Sequence, residues 1–125
     1  MTKTKPLVAI VDDDARMVES LENLLESEGY STRSFASGRS FLEGGLAGFD
    51  LLITDIGMTG MDGFDLRDAT NKARPDLPVF LITGRHELAE MAQSRGPGRF
   101  FRKPFDAPEL LAAISGAIHH RKSGG

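Results

Sequence analysis

With 125 residues, 15 basic and 18 acidic side chains, a net charge of −3 and no cysteine, the chain suits one domain, burying roughly two thirds of its unfolded surface without disulfides or a structural metal. The charge balance gives no ground for direct nucleic-acid binding or an acidic ligand, and the cysteine count excludes disulfides and thiol chemistry. No apolar stretch suits a signal peptide or spans a bilayer, so a soluble cytoplasmic protein without membrane contact is expected.

In chain order, Leu7 to Val11 is an almost uninterrupted apolar run, the pattern of a parallel strand covered on both faces. Asp12, Asp13 and Asp14 close it. A helix follows over Ala15 to Glu28, with Met17, Val18, Leu21, Leu24 and Leu25 on one face and Gly29 as its stop. Ser31 to Phe35 is more polar and reads as an edge strand. A short helix over about Arg39 to Leu46 weakens at Gly44-Gly45. Leu51 to Thr54 is a second central strand and ends at Asp55, and a helix over Phe64 to Arg74 stops before Pro75. Val79 to Ile82 is the third central strand, followed by Thr83 and Gly84.

The segment His86 to Arg95 has only Leu88 and Met91 as large apolar residues, so a fourth helix there should be shallowly buried and the element most free to move. Arg99 to Arg102 is the other edge strand and leads into Lys103-Pro104. Asp106-Ala107-Pro108-Glu109 reads as a capping box opening a fifth helix, with Leu110, Leu111, Ile114 and Ile118 inward. His119, His120, Arg121 and Lys122 suit its negative end. The expectation is a single α/β domain over residues 1–125, with a core over about 6–120 and 121–125 as a flexible tail.

In a right-handed β-α-β array the open ends of the first and third strands meet where the sheet order reverses, which brings Asp12, Asp13 and Asp55 together. Two carboxylates about 4 Å apart repel by about 4 kcal/mol at an effective dielectric of about 20, so three need a cation or a raised pKa. All-oxygen ligation favours Mg²⁺ over zinc. With the ion bound, one carboxylate can act as nucleophile toward phosphorus, and Lys103 is the natural ammonium to neutralise developing charge. Thr83 offers a hydroxyl to a phosphoryl oxygen, and Gly84 leaves room for the incoming group. Three aspartates against Mg²⁺ and one lysine sum to zero charge, so phosphorylation adds a surplus that can pull Thr83 inward and move the segment after it.

These four motifs, VAIVDDD, LLITD, FLITG and FFRKPF, stand in the order found in bacterial response-regulator receiver domains, which the chain resembles over about residues 6–120. The resemblance implies a flavodoxin-like, doubly wound, five-stranded parallel sheet of order 2-1-3-4-5 with helices on both faces. It implies Asp55 as phosphoacceptor, Asp12 and Asp13 as the acidic pair with Asp13 the direct metal ligand, and the backbone carbonyl of Gly57 as a further ligand. Thr83 becomes the conformational hydroxyl, Lys103 the phosphate-binding lysine, Phe100 the aromatic switch and Lys103-Pro104 a cis peptide. The partners implied are a sensor histidine kinase or a histidine phosphotransfer protein. The signalling surface is the face of the fourth and fifth strands with their helices, and the last strand with its flanking helices is a homodimer surface.

Met58-Thr59-Gly60-Met61-Asp62-Gly63 departs from the family's Met-Pro-Gly-Met-Asp-Gly at Thr59, which implies a looser loop. Gly57 and Arg85 fall on the two positions that tune water access to the phosphoryl group. Thr83 and Lys103 are 20 residues apart, closer than the family's usual spacing, and Gly96-Pro97-Gly98 implies a shortened fourth helix. Asp14 reads as a helix cap rather than a third metal ligand, Phe101 as core, and His86, His119 and His120 as solvated rather than metal-binding or phosphorelay residues. Two other functions fit parts of the chain. One is a receiver-fold interaction module that acts without phosphorylation. The other is a haloacid-dehalogenase-type phosphatase, from the Asp-x-Asp of Asp12 to Asp14, for which the chain is too short and Ala15-Arg16 poorly matched.

Overall fold

The computed structural model describes residues 5–85, 88, 90, 91 and 99–124, with side chains through 119. Five strands form one sheet: β1 (Leu7–Val11), β2 (Ser31–Phe35), β3 (Leu51–Asp55), β4 (Val79–Thr83) and β5 (Arg99–Arg102). All pairs are parallel and the order is β2-β1-β3-β4-β5. The alternation of side chains along each strand explains why helices cover both faces. Val8, Ile10, Leu51, Ile53, Phe80, Ile82 and Phe101 point to the face packed by α1 (Ala15–Ser27) and the C-terminal helix (Ala107–Gly124). Ala9, Val11, Leu52, Val79 and Leu81 point to the other, against Phe41 of α2 (Gly38–Glu43) and Phe64 and Leu66 of α3 (Gly63–Ala73). Central strands β1, β3 and β4 are buried almost throughout, whereas edge strands β2 and β5 are not.

Each described helix begins on a side-chain oxygen. Asp14 accepts from the Arg16 N–H at 3.0 Å, Asp62 from Asp65 at 2.9 Å and Asp106 from Glu109 at 3.2 Å, and Ser37 caps α2 at 3.1 Å. Gly29, at φ +92°, carries the turn after α1, where the Tyr30 N–H returns to the Leu25 carbonyl at 3.1 Å. Two boundaries differ from the sequence expectation. The second helix stops at Glu43, not Leu46, because Gly45 turns to φ +88°. The last helix continues to Gly124 through residues expected as a loose tail, carried by helix-forming Arg121 and Lys122. Of the expected fourth helix, Leu88, Glu90 and Met91 are described and helical, and Met91 is 42% exposed. Its remaining residues, with His86 and Gly96-Pro97-Gly98, lie outside the described residues. No described helix is long and apolar enough to cross a membrane.

Candidate functional site

The register of the sheet sets the site. Val11 pairs with Thr54, Asp55 with Ile82 and Thr83 with Arg102, so Asp12, Asp55, Thr83 and Lys103 fall at one level along the C-terminal edge. The ladder continues past the strand ends: the Ile56 N–H donates to Ile82 at 2.9 Å and the Lys103 N–H to Thr83 at 2.8 Å. Asp55 and Thr83 therefore belong to their strands, where an apolar pattern alone ends each strand one residue earlier.

One carboxylate oxygen each from Asp12, Asp13 and Asp55 lies within 4.8 Å of the others. Asp12 and Asp55 are buried, at 4% and 9% exposure, and Asp13 is exposed. Lys103 Nζ stands 3.3 Å from Asp12 Oδ2 and 3.3 Å from Asp55 Oδ1, while Asp12 Oδ1 accepts the Asp14 N–H at 2.9 Å. Burial, and then the charge of Asp12, push the Asp55 carboxyl above its ordinary value against the opposing pull of Lys103. Burial pulls the Lys103 ammonium down, but Asp55 and Asp12 outweigh it and hold the group above its usual range. Three carboxylates and one ammonium leave a formal −2 among oxygen donors, which fits a hard divalent cation.

Thr83 is buried at 1% exposure, and its Oγ1 accepts the Arg85 N–H at 3.1 Å, leaving its hydroxyl proton to donate elsewhere. A Cβ at Gly84 would meet only Lys103, at 3.6 Å, so this rim is open. Phe100 is half-buried and packs with the α2 and α3 core, on the same face as Thr83, while Phe101 lies in the opposite core beside Phe80. Asp14 caps α1, the Lys103-Pro104 peptide is cis, and His119 is exposed on the last helix. Sequence reasoning missed Gly63. A Cβ there would lie 2.5 Å from the Asp55 carbonyl oxygen and 2.7 Å from Ile56 Cα, so only glycine lets α3 start against the loop that follows Asp55. The Asp62-Gly63 pair, a cap followed by a residue without a side chain, was the available signal.

Residues 8–115 match the response regulator receiver domain family. The chain belongs to that family. This receiver domain is 34% identical over 119 residues to the transcriptional regulatory protein FixJ of Bradyrhizobium diazoefficiens, covering 92% of this chain and 58% of FixJ. It is 36% identical over 118 residues to the DNA-binding transcriptional regulator NtrC of Escherichia coli, covering 91% of this chain and 25% of NtrC. The receiver domain thus spans little more than half the length of one relative and about a quarter of the other. Among solved structures, a response regulator receiver domain protein from Clostridium thermocellum superposes with a TM-score of 0.85 at 26% identity, covering 96% of this chain and 99% of that one.

Proposed function

We propose that Asp55 accepts a phosphoryl group from the phosphohistidine of a sensor histidine kinase or histidine phosphotransfer protein, in a site that holds Mg²⁺. The observation that carries this reading is the meeting of Asp12, Asp13 and Asp55 around the Lys103 ammonium at the strand tips. Asp12, Asp13, Asp55 and the Gly57 carbonyl are the groups that would hold the ion, with exposed Asp13 the direct carboxylate ligand, and the net −2 charge supports it. Bound there, Mg²⁺ would supply charge neutralisation at the equatorial phosphoryl oxygens.

One Asp55 oxygen forms the new bond to phosphorus while the bond from phosphorus to the donor nitrogen breaks, its electron pair leaving with the imidazole. Lys103, already within reach of Asp55, pairs with a phosphoryl oxygen. The Thr83 hydroxyl donates to another, since its acceptor side is taken by the Arg85 N–H. Movement of Thr83 frees space on the face it shares with Phe100 and alters the surface around β5. The domain so assists its own phosphotransfer and dephosphorylation, and turns over no free substrate.

The 125 residues act as one receiver domain in the cytoplasm, without direct nucleic-acid or membrane contact. Homodimerisation through β5 and its flanking helices is supported by the exposed Arg99, Arg102 and Met91. Equal sedimentation of the phosphorylated and unphosphorylated forms would count against it. The main reading is tested by intact mass after incubation with a small phosphodonor, with and without Mg²⁺, on wild type and Asp55→Asn. A Mg²⁺-dependent gain of one phosphoryl group, lost in the variant, is expected. No gain in folded wild type would leave a binding module that acts without phosphorylation.

A further inference from the structure

The loop after Asp55 and the residues after β4 meet at a glycine. A Cβ on Gly57 would lie 3.0 Å from Leu88 Cδ1 and 3.3 Å from Arg85 Nη1, so Arg85 and Leu88 already take the space of a side chain at that position. Around this contact is a cavity of about 330 Å³. Ile56, Met58 and Leu88 give it an apolar side, and Thr59, Asp62 and Arg85 a polar one. The Asp62 carboxylate is engaged as the α3 cap, accepting the Asp65 N–H at 2.9 Å. The Arg85 guanidinium is the cationic group of this lining.

In a displacement at phosphorus the attacking and leaving atoms lie in line. Asp55 attacks from the end of β3, so a donor's leaving group departs away from the sheet. Residues 57 and 85, each two beyond the end of its strand, border that exit on one side.

We propose that Arg85 determines which small phosphodonor this receiver uses, by binding the carboxylate leaving group of an acyl phosphate whose alkyl end rests against Met58 and Leu88. The proposal rests on Asp55 being the phosphoacceptor. An Asp55 carboxylate oxygen forms the new O–P bond, the P–O bond to the acyl group breaks, and its electron pair leaves on the acyl oxygen as a carboxylate. No proton is needed. A guanidinium matches that planar anion with two parallel N–H donors. A phosphoramidate donor behaves differently: its P–N bond breaks, its nitrogen leaves as neutral ammonia after taking a proton, and a guanidinium gives it no advantage.

The test compares rates of phosphorylation by acetyl phosphate and by phosphoramidate, in Mg²⁺ at fixed ionic strength, for wild type, Arg85→Ala and Arg85→Lys, read by intact mass. With Arg85→Ala the acetyl phosphate rate should fall about tenfold, as for loss of one charge-assisted pair, and the phosphoramidate rate by less than about twofold. Lysine keeps the charge without the fork, so Arg85→Lys should fall between. Added acetate should compete with acetyl phosphate in wild type and lose that effect in Arg85→Ala. Equal loss with both donors would assign Arg85 to holding the loop, and no loss would remove it from the reaction; either result overturns the proposal. Failure of wild type to label with either donor would overturn the phosphoacceptor reading first, and is distinct from both.

Discussion

Replacing Asp55 by asparagine should stabilise the fold at neutral pH while abolishing phosphorylation. At an effective dielectric of about 20, carboxylate oxygens at the 4.8 Å limit of the cluster repel by about 3.5 kcal/mol. Lys103 at 3.3 Å attracts the Asp55 charge by about 5 kcal/mol. These two nearly offset, so the burial of the carboxylate decides the sign, and it raises the Asp55 pKa. A raised carboxyl pKa means that the folded state binds this proton more tightly than the unfolded state. Stability is therefore highest below the ordinary value of 3.8, falls as pH rises through the folded pKa, and stays lowered above it. Asparagine sheds the buried charge and the repulsion from Asp12, and its amide oxygen still accepts from Lys103. A gain of about 1–2 kcal/mol at pH 7 in metal-free buffer is expected, or roughly 3–8 °C in Tm for a domain of this size. Urea denaturation from pH 4 to 8, with EDTA and with Mg²⁺, measures it. The gap between variant and wild type should open as pH rises above 4, level off, and narrow when Mg²⁺ binds the wild type in preference. A variant less stable at pH 7 without metal, or a gap independent of pH, would refute the reasoning.

Gly63→Ala places a methyl 2.5 Å from the Asp55 carbonyl oxygen and threatens the Gly63 N–H bond to Ile56 at 2.9 Å. It should cost about 2–4 kcal/mol in urea denaturation, and an unchanged midpoint would show that the junction relaxes freely. Thr70 is fully buried on α3, and its hydroxyl has no hydrogen-bond partner among the described residues. Thr70→Val keeps the shape and removes the stranded group, so stability should be unchanged or higher by up to about 2 kcal/mol; a loss above about 1 kcal/mol would reveal a partner for it.

The strands were legible because each central one is buried on both faces, a condition that only an uninterrupted apolar run such as VAIV or LLIT meets. Caps at Asp14 and Asp106 were legible because capping is local, decided within three residues. Strand order was not: nothing in the composition of β2 or β4 says which neighbour it takes, and the 2-1-3-4-5 arrangement came with the family resemblance. Contacts between distant backbones were hidden for the same reason. Gly63 pressing on the Asp55 carbonyl is one. Arg74 is another, its Nη1 bridging the carbonyls of Leu46 and Phe49 at 2.9 Å each. On a helix pattern Arg67 reads as surface, yet it is 8% exposed and lies 5.6 Å from the Phe64 ring, because a guanidinium on a long apolar stem can be buried over an aromatic face.

The site and the sheet are coupled unevenly, and this decides where a change at Asp55 can be felt. On one side Asp55 is bounded by β1 and β3, whose inner residues are at most about 1% exposed apart from Asp55 itself and packed from both faces; a displacement there would open cavities in two cores. On the other side lies β4, and beyond it β5, an edge strand of four residues of which only Phe101 is fully buried. Thr83 is joined to β5 through its carbonyl, which accepts the Lys103 N–H at 2.8 Å, and through its register with Arg102. Lys103 is also the side chain that bridges Asp12 and Asp55. A change in charge at Asp55 therefore acts on β5 by two routes, the lysine side chain and the Thr83 backbone. Both lead to the part of the sheet that is least costly to move, so the location of the response follows from packing asymmetry and needs no dedicated lever.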